Sequence, residues 1–87
     1  MSITVELTYE MGKAVGEMRF ELEASDVASV IEATRQRISE SGQGDFDTLR
    51  ARAAVAVNGV LLRHRRAEGT RLRDGDRVSF VKAAAGG

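Results

Sequence analysis

The spacing of apolar residues changes period twice along this chain, and that change limits the folds open to it. From Ile3 to Tyr9 the apolar side chains fall on odd positions, Ile3, Val5, Leu7 and Tyr9, with polar residues between them. Period two marks a strand with one buried face. Met18, Phe20 and Leu22 alternate in the same way with Glu17, Arg19, Glu21 and Glu23. The stretch from Glu10 to Ala14, which contains Gly12, reads as the turn between them, so the two segments make a hairpin. The period then lengthens. Val27, Val30, Ile31, Thr34 and Ile38 stand three or four apart, which is one face of a helix. Ser25 is placed to cap the free amides, and Asp26 suits the positive end of the helix in its first turn. Gly42, within Ser41-Gly42-Gln43-Gly44, fits a left-handed stop.

Residues 45–52 read as a loop or a short helical turn, with Phe46 and Leu49 turned inward. Ala53 to Val57 predicts a third strand. Asn58-Gly59 follows as a tight turn, because both residues tolerate positive φ. Val60 to Leu62 continues as a short strand. Asp74-Gly75-Asp76 is another turn, and Arg77 to Lys82 the last strand, with Val78 and Phe80 facing one way. The predicted order, β-β-α-β-β-β, lays one helix over one face of a mixed sheet and leaves the other face to water. With no internal repeat and no linker, residues 1–82 form a single α+β domain and residues 83–87 a flexible tail.

Composition narrows the function. A domain of 87 residues buries only about 60% of its unfolded surface. That leaves little material for a deep catalytic pocket and favours a carrier or binding module over a stand-alone enzyme. There are no cysteines, which excludes disulfides, thiolate catalysis and cysteine metal sites. A secreted domain this small usually needs such staples, so the cytoplasm is the expected location. No stretch approaches the roughly 18 apolar residues of a membrane span, and the alternating N-terminus is not a signal peptide. Net charge is zero but unevenly placed. Residues 1–49 hold 4 basic and 10 acidic side chains, and residues 50–87 hold 9 basic and 3 acidic. Any part of this asymmetry that survives folding steers charged partners.

Three pieces of the C-terminal third occur in a telling order: Ala56-Val57-Asn58-Gly59, then Leu72-Arg73-Asp74-Gly75-Asp76-Arg77-Val78, then Gly86-Gly87 at the very end. With the element order, they resemble the sulfur-carrier branch of the ubiquitin-like proteins, the MoaD/ThiS type. The resemblance implies a β-grasp fold, a mixed sheet of four to five strands with one main helix on one face. It implies that a ubiquitin-activating-type enzyme uses ATP to adenylate the carboxylate of Gly87. Sulfur then replaces AMP to give a thiocarboxylate, which a synthase or other biosynthetic enzyme consumes. The chain itself is then no enzyme, holds no cofactor and no metal, and binds neither nucleic acid nor membrane. Gly86 and Gly87 are the reactive end. Val81, Ala83, Ala84 and Ala85 are the expected partner contacts, Val81 from the open sheet face and the alanines as a slim tail. Glycine suits a narrow channel because it lacks Cβ and takes up backbone angles closed to other residues. The tail departs from the family pattern in having no proline before the glycines; it reads Lys82-Ala83-Ala84-Ala85. The length is nearer the molybdopterin type than the thiamine type.

Other readings stay open at this point. Gly87 can instead end in an isopeptide bond to target lysines, as in a protein modifier. The tail can also be idle, on a β-grasp interaction module. Arg63-His64-Arg65-Arg66 is either a phosphate-binding patch or a solvated loop whose arginine stems lie on the surface. Few aromatics accompany it, which argues against a single-strand nucleic-acid platform. Asp74 and Asp76 read as turn residues, since two carboxylates without further ligands do not hold a cation.

Overall fold

The computed structural model describes residues 1–63 and 68–83. Among these residues five strands and three helices follow one another as β1 (Ser2–Glu6), α1 (Tyr9–Val15), β2 (Arg19–Glu23), α2 (Val27–Ser41), α3 (Phe46–Ala51), β3 (Ala53–Val57), β4 (Val60–Leu61) and β5 (Arg77–Lys82). The strands form one sheet in the order β2-β1-β5-β3-β4. β1 and β5 run parallel at its centre, with Val5 opposite Val78, and every other neighbouring pair is antiparallel.

The two alternating segments supply the core as expected. Ile3, Val5 and Phe20 are buried from one side of β1 and β2, and Val55, Val78 and Phe80 from β3 and β5. α2 closes this face with Val27, Val30, Ile31, Thr34 and Ile38, the five residues of its predicted stripe. Thr34 is buried without cost because its hydroxyl donates to the Val30 carbonyl at 2.8 Å. Gly42 ends α2 with φ of 67°, the left-handed conformation expected of it.

The structure corrects the sequence reading in three places. Tyr9 and the expected turn from Glu10 to Ala14 are helix α1 instead. Thr8 caps it by accepting from the Met11 amide, and Met11 and Ala14 bury its inner face. β1 and β2 therefore pair antiparallel, but through a helix and not a tight hairpin turn. Gly12 sits inside α1 because a Cβ there would collide with the Met18 sulfur. The cap of α2 is Asp26, not Ser25: its carboxylate accepts from the Ser29 amide at 2.8 Å and from the Ser29 hydroxyl at 2.7 Å. Residues 45–52 take the helical one of the two expected forms, as the short helix α3 (Phe46–Ala51) between the caps Asp45 and Arg52, with Phe46 buried as expected. The outer face of the sheet is not wholly wet, since Ala56 and Ser79 are buried there.

Candidate functional site

β5 is the element that carries the chain towards its C-terminus, and its two ends are built differently. At its start the two turn motifs lock onto each other. Asn58 has φ of 50° and Gly75 of 88°, so both turns use the left-handed region. The Asn58 side-chain amide donates to the Asp76 carboxylate at 2.9 Å, and the Asn58 carbonyl oxygen accepts from the Arg77 amide at 2.9 Å. Asp76 also accepts from the Arg73 amide at 2.8 Å. That backbone bond, and next the Asn58 amide, hold the Asp76 carboxyl below its usual range. Asp74 accepts from the Ser2 amide at 2.7 Å, tying the same turn to the first strand. Asp74 and Asp76 thus face backbone and amide donors. Among the described residues no group of three or more His, Cys, Asp and Glu is placed to hold a metal ion.

At its far end β5 is open. Val81 lies opposite Ala54 on the outer sheet face and is 36% exposed. Ala83 is the last described residue, and its amide donates to the Arg52 carbonyl at 3.0 Å, keeping the chain in line with β3. Ala84, Ala85, Gly86 and Gly87 lie outside the described residues, as do His64, Arg65 and Arg66; Arg63 is exposed.

The outer face divides into two halves by register. On the β1 side it is charged: Glu6 accepts from the Ser79 hydroxyl at 2.9 Å and pairs with Arg77 at 3.3 Å and Arg19 at 3.9 Å. On the β3–β4 side it is apolar. Ala54, Ala56 and Leu61 share that side with Val81, and Leu61 is 64% exposed. Of this strip the sequence reading singles out Val81. Around the end of β5 from the strip is a hollow of about 300 Å³ between α1, α3 and β5, walled by Tyr9, Leu49 and Phe80. Nothing in the sequence pattern pointed to it.

A parallel pair of central strands, a helix across one face and an open strip beside the last strand define a β-grasp, ubiquitin-like fold. The chain belongs to the ThiS family, whose profile matches residues 6–87. No curated protein sequence matches it significantly. Among solved structures, molybdopterin converting factor subunit 1 of Pyrococcus furiosus is 22% identical, with a TM-score of 0.73 over 97% of this chain and 99% of that one. Small archaeal modifier protein 1 of Methanosarcina acetivorans is 21% identical, with a TM-score of 0.74 over 99% and 96%. The complex of subunits 1 and 2 of the molybdopterin-converting factor of Helicobacter pylori contains a chain 23% identical, with a TM-score of 0.63 over the full length of both. At these identities the likeness is one of fold. No helix among the described residues is long and apolar enough to cross a membrane.

Proposed function

We propose that this protein is a sulfur carrier charged at Gly87. The observation that carries the reading is the family match running through the terminal Gly-Gly, on a fold whose last strand runs beside an exposed apolar strip. A free carboxylate is a poor electrophile. Attack of the Gly87 carboxylate on the α-phosphorus of ATP expels pyrophosphate and leaves an acyl adenylate, in which AMP is the leaving group. A sulfur nucleophile then displaces AMP to leave a thiocarboxylate. The partner supplies the nucleotide site and the acid–base groups. The carrier supplies a rigid body, a docking face and an unhindered glycine carbonyl. The chain's length, and the likeness to molybdopterin converting factor subunits, favour molybdopterin synthesis as the pathway, with a second synthase subunit as the sulfur-consuming partner.

Incubation with the adenylating enzyme of the same cell, ATP and a sulfur donor raises the intact mass by the difference between one sulfur and one oxygen atom. An unchanged mass after that treatment refutes the proposal. A second reading, conjugation of Gly87 to lysines of other proteins, is favoured by the likeness to small archaeal modifier protein 1. It predicts ladders of an N-terminally tagged chain on denaturing blots that vanish when Gly87 is deleted.

A further inference from the structure

We propose that the hollow at the root of the tail is a docking socket, which takes from the activating enzyme an apolar side chain with a carboxylate next to it. The inference rests on the function proposed above and adds a contact away from the open sheet face. Three observations carry it. The first is composition. Tyr9, the chain's single tyrosine, is 69% exposed, yet it stands beside Leu49 and Phe80 and not alone in solvent. A volume of about 300 Å³ is at the small end for a ligand pocket and suits one large side chain better than a cofactor.

The second is charge. Glu10 and Arg52 face each other across the lip at 3.8 Å, with both side chains more than half exposed. Lys82, on the same lip, makes no ion pair among the described residues. The rim therefore has one cation in excess, and the complement of an apolar hollow with a cationic lip is an apolar residue beside an acidic one.

The third is reach. From Lys82 to Gly87 the chain spans at most about 17 Å even when fully extended. An enzyme that holds the Gly87 carbonyl must bring its surface within that distance of the hollow. The turn lock at the start of β5 lies roughly 20 Å further back, by the rise of six strand residues. Filling the socket fixes the root of the tail and so sets the length of chain that enters the active site.

The test separates docking from chemistry. A chain lacking Gly86 and Gly87 cannot be charged, but it competes with the full chain for the adenylating enzyme. Putting Tyr9→Ser or Lys82→Glu into that competitor should weaken its inhibition about tenfold, the loss expected on removing a central contact. Tyr9→Phe should compete as the parent does, because it keeps the apolar wall. In the full chain the same two changes should raise the half-saturating concentration for charging and also lower the maximal rate, because the tail then enters the active site out of register. Both residues are exposed, and a retained melting temperature excludes misfolding. Competitors with Tyr9→Ser and Lys82→Glu that inhibit as well as the parent overturn the socket while carrier function stands. A wild-type chain that is never charged overturns the carrier function and the socket with it.

Discussion

The two ends of the six-residue strand β5 do opposite work. At the start, the Asn58 amide, the backbone amides of Ser2, Arg73 and Arg77 and the carboxylates of Asp74 and Asp76 are matched among themselves, so little is left for a partner. At the finish, Val81, Lys82 and Ala83 are all exposed, and the bond from the Ala83 amide to the Arg52 carbonyl is the last backbone tie among the described residues. The motifs that look most like a site in the sequence, NG and DGD, are thus the anchor. The presentation end is made of residues that look ordinary. A carrier needs both, because a reactive end can be placed accurately only from a base that does not move.

The largest effect should come from the tail. Gly86→Val, or one alanine appended after Gly87, should cut charging at least about a hundredfold, since displacing the reacting carbonyl by as little as about 1 Å is that costly. The melting temperature should hardly move. Intact-mass kinetics and a thermal melt on the same sample check both halves, and a tail variant that unfolds the domain would erase the contrast between the ends. Next is Phe80, buried on the core side of β5. Phe80→Ala should destabilise by about 3–5 kcal/mol, the usual cost of truncating a core aromatic, as read by denaturant titration. A smaller change would mean that the open end is not packed underneath.

Much of this architecture could be read from the chain, because its strands and main helix are bounded by strong local signals. β3 and β5 occupy the predicted residues, and the buried stripe of α2 is the predicted stripe, since turn chemistry at 58–59 and 74–76 and period-two burial agree there. α1 was hidden for two local reasons. Tyr9 prolongs the alternation of β1 by one step, and Gly12 mimics a turn although its lack of Cβ serves to admit Met18. The spacing of Met11, Ala14 and Val15 was the helical signal that these masked. The hollow was not legible at all, because it joins residues from three stretches far apart in sequence, and only the crossing of α1 and α3 at the end of β5 brings them together.

Smaller effects sharpen the comparison. Leu61→Ser, on the exposed apolar strip, should raise the half-saturating carrier concentration several-fold, within the range for a peripheral interface residue, with an unaltered melting curve. Asp76→Asn addresses the lock through pH. The Asp76 carboxyl is held below its ordinary value of 3.8 by the Arg73 amide and then by Asn58. Its folded pKa is therefore lower than its unfolded one. The stabilisation is complete above 3.8 and is lost as pH falls from there through the folded value. Wild-type melting temperature should drop in that acid range, and the Asn variant should show a shallower drop and unchanged charging at neutral pH. Gly12→Ala should do least, within about 1 kcal/mol, because helix propensity gained offsets the displacement of the half-exposed Met18 side chain.

The parallel pairing of β1 with β5 has a mechanical consequence. The chain enters the sheet at Ser2 and leaves it at Lys82, at opposite ends of one shared ladder. Tension applied between the two termini is therefore borne lengthwise, by all the rungs at once, and cannot peel them open singly. An enzyme that draws the tail into a channel pulls along this same line. Single-molecule stretching from Met1 to a handle beyond Gly87 should meet high resistance governed by the unfolding barrier, and stretching from a handle in β4 should meet much less. A domain charged at Gly87, as proposed, can then be hauled by its tail without giving way.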